Sequence, residues 1–162
     1  MEAAGNSGSG AGPTAGSITF DGQWSPLVIV TFVGQVSAAQ YEEFLATHLE
    51  YVRRGRCLFI FDTSRSGTRL VEYRQRQVEW LEEHEPLLAE AVIATAFIIT
   101  SPVIRLLANL LHHLKPMAWP QLFARGLPEA LEWAEARLRE AGDCPGPWAG
   151  TRVRQPERAH RA

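Results

Sequence analysis

Leu27-Val28-Ile29-Val30-Thr31-Phe32-Val33, closed by Gly34, is β-branched and almost wholly apolar. A run with no polar side reads as a strand buried on both faces, as in the middle of a parallel sheet. Two further stretches repeat it: Cys57 to Phe61, ending in Asp62, and Val92 to Thr100. Between the first two, Ser37 is a good N-cap. Tyr41, Phe44, Leu45, His48, Leu49 and Val52 then recur at helical spacing as far as Gly55, giving one apolar stripe.

The pattern extends outward in both directions. Ile18 to Gln23 alternates and is closed by Trp24-Ser25-Pro26, which predicts a strand turning back antiparallel onto Leu27–Val33. After Asp62, the stretch from Thr63 to Thr68 reads as a polar turn. A helix follows from about Arg69 to Glu85, with Leu70, Tyr73, Val78 and Leu81 inward, and Pro86 marks its end or a kink. Ser101-Pro102 opens another helix, since serine caps and proline fits the first turn. Its stripe is Val103, Leu107, Leu110, Leu111 and Leu114, and Pro116 stops it. Pro120 to Phe123 is a short edge strand. Pro128 starts a last helix with Leu127, Leu131, Ala134, Leu138 and Ala141 on one face. The expected fold is α/β, a mostly parallel sheet of about five strands with about four helices, ordered β-β-α-β-α-β-α-β-α.

The chain has 162 residues, of which 46% are hydrophobic and 21% charged, with a net charge of −2. This fits one domain, expected over 17–141, with tails at 1–16 and 142–162. The first tail is Gly, Ala and Ser-rich; the second is mildly basic, with Arg152, Arg154, Arg158 and Arg161. Such a charge balance gives no basic face for nucleic acid. Cys57 and Cys144 are too few for a disulfide scaffold and have no neighbouring ligands for zinc. The start of the chain lacks the basic and apolar regions of a signal peptide, and no apolar run is long enough to span a membrane. The expected location is the cytoplasm.

Catalytic patterns are missing. There is no Gly-x-Ser-x-Gly elbow and no glycine-rich phosphate cradle between a strand and a helix. Cys57 falls inside a strand, which is a poor place for a nucleophile. His112 and His113 are adjacent and point apart on a helix, so they do not form a chelating pair. His84 lies among Glu82, Glu83 and Glu85, a solvated face or a weak metal cluster, and His48 reads as a core-edge histidine. The reading calls for no cofactor, no metal and no enzyme activity.

The best candidate surface is the carboxyl edge of the parallel sheet, where open α/β sheets place ligands. Asp62, Ser64, Ser66 and Arg69 belong to the loop after one central strand, and Ser101 and Arg105 to the loop after the next. Two helix starts and two arginines there suit an acidic partner or an anion. The alternative is an ordinary polar loop with a capping hydroxyl. For Arg105 the alternative is a stem spread over the surface, or a pair with Asp62 or a glutamate of the preceding helix. Trp119 is the aromatic hardest to bury and suits an interaction patch.

Several pieces, in order, resemble the SpoIIAA-like branch of the STAS superfamily. They are Leu27–Gly34, Phe59-Ile60-Phe61-Asp62, Arg74 with Trp80-Leu81, Ala96–Thr100 followed by Ser101–Arg105, Leu122-Phe123, and Glu129-Ala130-Leu131-Glu132-Trp133, which is similar to the closing signature of that branch. The resemblance covers roughly Ile18 to Ala141. It implies a small domain without catalysis that acts in protein–protein regulation, some relatives binding small or lipidic ligands. The phosphorylated serine of STAS antagonists is not carried over. Here the hydroxyls of Asp62–Thr68 come too soon after the strand, and the later position falls near Val71. The expected function is therefore a non-enzymatic interaction domain with a protein partner, or one taking a small anion. The alternative is a small-molecule or lipid-binding domain with a pocket between the sheet and the helix that begins at Ser101-Pro102.

Overall fold

The computed structural model describes residues 15–114 and 116–144. Five strands form one sheet in the order β1-β2-β3-β4-β5: β1 Ser17–Trp24, β2 Leu27–Gly34, β3 Cys57–Ser66, β4 Val92–Ile98 and β5 Gln121–Ala124. β1 runs antiparallel to β2, and the other three pairings are parallel. The helices are α1 Ala38–Arg54, α2 Arg74–Glu83, α3 Glu85–Ala91, α4 Pro102–Leu114 and α5 Leu127–Glu140, with a 3-10 segment at Thr68–Tyr73.

Local chemistry sets the entry to α1. Ser37 Oγ accepts from the Gln40 backbone N–H at 3.2 Å, and Gln40 Oε1 accepts from the Ser37 N–H at 2.9 Å. This reciprocal capping box satisfies two otherwise orphaned donors. Gln40 Nε2 also donates to Gly16 O at 2.6 Å. The Gly16 N–H in turn donates to Gln35 O at 3.0 Å. Ala15 and Gly16 are thus tied to the chain just beyond β2 and do not belong to a free tail. The rest of the expected N-terminal tail, and the C-terminal one past residue 144, lie outside the described residues.

Side chains alternate between two layers. Val28, Val30, Phe32, Phe59 and Phe61 face α1, α2 and α3, where they meet Tyr41, Phe44, Leu45, Trp80 and Leu88. Leu27, Leu58, Ile60, Ala94, Ala96 and Ile98 face α5, where they meet Ala130, Ala134 and Leu138. Helices on both faces explain the unbroken apolar strands. On the α5 side five of the ten buried residues are alanines, Ala94, Ala96 and Ala124 on the sheet and Ala130 and Ala134 on the helix.

Three expectations need correction. The polar turn at Thr63–Thr68 is instead the continuation of β3 to Ser66, because β2 also runs on to Gly34 and offers partners: Val33 opposes Arg65 and Gly34 opposes Ser66. The single helix from Arg69 to Glu85 is a 3-10 segment followed by α2, which stops at His84. Pro86 then occupies the first turn of a separate α3, since its ring fits there but cannot continue the preceding helix. The described residues accordingly hold five α-helices, where about four were expected. Of the expected inward stripe on α4, Val103 points outward instead and is 67% exposed, while the side chains of Leu107, Leu110, Leu111 and Leu114 lie outside the described ones.

Candidate functional site

The carboxyl edge gathers the predicted polar residues, but most of them are engaged by the backbone beside them. Half-buried Asp62 accepts the Ser64 N–H at 2.9 Å. Ser66 Oγ donates to Thr63 O at 2.8 Å, and Thr63 Oγ1 crosses to Ile98 O at 2.8 Å. Arg69 is exposed, and its backbone N–H donates to Gln35 Oε1 at 3.3 Å. Ser101 Oγ caps α4 by accepting from the Ile104 N–H at 3.4 Å. Arg105 is half-buried and donates through one nitrogen to Ile99 O at 2.7 Å and Ala124 O at 3.4 Å. It ties together the ends of β4 and β5, in place of a pair with Asp62 or a glutamate. Among the described residues, no side-chain hydrogen bond or ion pair joins Asp62, Ser64, Ser66 or Arg69 to Ser101 or Arg105.

The larger feature lies just beneath this edge. A cavity of about 290 Å³ opens between the sheet and α1, the 3-10 segment, α2 and α4. Its floor is a row of phenylalanines, one from each parallel strand: Phe32, Phe61, Phe97 and Phe123. Ring centroids are 6.5 Å apart from Phe32 to Phe61, 5.5 Å from Phe61 to Phe97 and 5.6 Å from Phe97 to Phe123. Phe61, Phe97 and Phe123 are direct register partners. Tyr41 and Phe44 of α1, Leu70 and Val71 of the 3-10 segment, Val78 and Leu81 of α2, and Ile104 and Ala108 of α4 supply the walls. The volume stands at the lower end of the usual range for small-molecule sites, about 300–1,000 Å³. Sequence reasoning did not find this row. Its signal was one phenylalanine near the end of each of four consecutive strands, which becomes a row only when the register is known.

The cavity's polar groups divide into two sets. The Tyr41 hydroxyl donates to Gln77 Oε1, and burial pushes its ionisation well above the ordinary phenol range. The Trp119 indole N–H donates to the Oγ1 of buried Thr95 at 2.9 Å, so this aromatic packs into the wall. In contrast, His112 Nδ1 on α4 and Gln121 Nε2 on β5 are both buried and without a partner, and both side chains line the cavity.

Other reactive groups lie outside it. Cys57 is buried, its Sγ 4.0 Å from Ala91 O, and burial pushes its thiol up to about 12. His48 is 5% exposed in the core, with both ring nitrogens unpartnered. Among the described residues no three His, Cys, Asp or Glu side chains gather to hold a metal ion. No described helix is long and apolar enough to cross a membrane.

No family model, curated protein or solved structure matches the chain.

Proposed function

We propose that this domain binds an apolar small molecule between the phenylalanine row and α4. The observation that carries the reading is the 290 Å³ cavity with its four-ring floor. An aromatic and aliphatic wall of this kind stabilises a bound hydrocarbon by about 25 cal/mol per Å² of apolar surface removed from water. Cys57 and His48 are sealed in the core and do not line the cavity. The resemblance to SpoIIAA-like domains points the same way, because it implies a non-catalytic regulator, some of whose relatives take lipidic ligands.

The test is displacement of an environment-sensitive apolar dye. The wild type is expected to bind the dye and to release it to a medium-chain hydrocarbon. Ala108→Trp, which fills the cavity from α4, is expected to lose binding while circular dichroism stays unchanged. Equal dye binding by a folded Ala108→Trp protein would overturn the reading.

A second reading, partner binding, has its own observation. Val103 and Leu106 on α4 are 67% and 70% exposed, and Val71 at the cavity wall is 38% exposed. These apolar side chains beside the cavity suit a protein partner that senses occupancy. A Leu106→Glu variant is expected to keep dye binding and to lose any partner that the wild type captures. Retention of every partner by that variant would exclude this surface.

A further inference from the structure

We infer that the molecule held in the cavity is a hydrocarbon bearing one neutral carbonyl oxygen, seated between Gln121 Nε2 and His112 Nδ1. The inference rests on the cavity-binding reading and adds the chemical class of the ligand.

Buried polar groups in folded proteins are nearly always hydrogen-bonded, and each exception calls for a reason. In this cavity Tyr41, Thr63, Ser66 and Trp119 all have protein partners. Gln121 Nε2 and His112 Nδ1 have none. Gln121 opens β5 and faces the cavity like Phe123, two residues further on. His112 comes from the opposite wall, its ring edge-on to Phe123 with centroids 6.3 Å apart. Two orphaned groups from two different elements therefore flank the same end of the phenylalanine row.

The identity of the two atoms selects the ligand group. An amide N–H only donates, and His112 Nδ1 donates as well in the tautomer that carries the ring proton there, which is the tautomer this inference takes. A carbonyl oxygen has two lone pairs and can accept from both at once. A carboxylate has the same geometry but brings a charge, whose burial needs a paired cation. Arg74 is the cation on the wall among the described residues, and it belongs to α2, not to α4 or β5. A free ketone and the ester of an acyl chain share the required oxygen.

Titration calorimetry with decane, methyl octyl ketone, methyl nonanoate and decanoate tests the inference. The ketone or the ester is expected to bind wild type at least fivefold more tightly than decane, in line with about 1 kcal/mol for a neutral hydrogen bond. Whichever of the two binds more tightly distinguishes a free carbonyl from an ester as the source. Gln121→Leu and His112→Leu are each expected to remove that preference, so that decane and the carbonyl compounds bind the variant equally. If decane and both carbonyl compounds bind equally, or if decanoate binds most tightly, the inference is wrong while the cavity reading survives. If none of the four binds, both fall. The wild-type comparison stands even if a variant does not fold.

Discussion

His48 stacks on Trp80 with ring centroids 4.8 Å apart, and no hydrogen-bond partner reaches either imidazole nitrogen. Phe59 and Phe61 close edge-on over the same ring, at 4.3 and 5.4 Å. Desolvation, helped by the nearby charge of His84, pulls the His48 pKa from 6.5 down to about 3. The unfolded chain therefore takes up a proton at a pH where the folded chain does not. Stability is complete above pH 6.5 and falls as the pH drops toward about 3. The slope attributable to this group is up to about 1.4 kcal/mol per pH unit. Urea unfolding across that window should show a flatter pH dependence for His48→Leu than for wild type. Parallel curves would show that His48 is protonated inside the fold.

Arg105 gives a second prediction. Its guanidinium serves the carbonyls of Ile99 and Ala124, so Arg105→Ala takes the side-chain donor from Ile99 O and leaves Ala124 O with the Ile99 N–H. The expected loss is about 1.5–3 kcal/mol, typical of hydrogen bonds to a charged group. Urea unfolding checks it, and a change under about 0.5 kcal/mol would return Arg105 to the role of a free surface arginine.

Leu138 is fully buried where α5 meets the sheet. Leu138→Ala removes buried methyl groups from the layer it shares with Leu27, Leu58, Ile60, Ile98 and five alanines, and should destabilise by about 2–5 kcal/mol. Thermal and urea unfolding should agree on the loss. Retained stability would mean that α5 can settle inward.

Gly16 sits so close to the chain after β2 that a Cβ would fall 2.3 Å from the backbone carbon and oxygen of Gln35. A backbone neighbour cannot swing aside as a side chain does. Gly16→Ala is expected to detach Ala15 and Gly16 and to break the Gln40–Gly16 hydrogen bond. Hydrogen exchange should then speed up at the Gly16 amide, with little change at β3. Unchanged protection there would refute the close approach.

The central strands were legible because residues buried on both faces must be apolar at every position, a signal that needs no partner to read. α1 was legible from Ser37 and its stripe. The extension of β3 was not, because Asp62-Thr63-Ser64-Arg65-Ser66 becomes a strand only when β2 runs far enough to pair with it. α3 is a single short helix of seven residues, too brief for periodicity to declare itself apart from α2. The candidate edge residues Asp62, Ser64 and Ser66 lie within β3 and not in a loop after it. The engagement of Arg105 was not foreseeable, since one of its acceptors, Ala124, lies nineteen residues away. The same limit hid the phenylalanine row, which depends on the alignment of four strands, although a pocket between the sheet and α4 was the alternative expectation.

The two faces of the sheet also differ in how they can absorb change. Toward α5, Ala94, Ala96, Ala124, Ala130 and Ala134 are completely enclosed, and any larger residue there must push the helix off the sheet. Toward α1, α2 and α4, large rings and long aliphatic chains surround open space and can exchange volume among themselves. Sequence drift and engineered repacking will therefore be confined to the aromatic side. The α5 side behaves as a fixed anvil, so any displacement caused by an occupant is directed outward into α4 and the 3-10 segment.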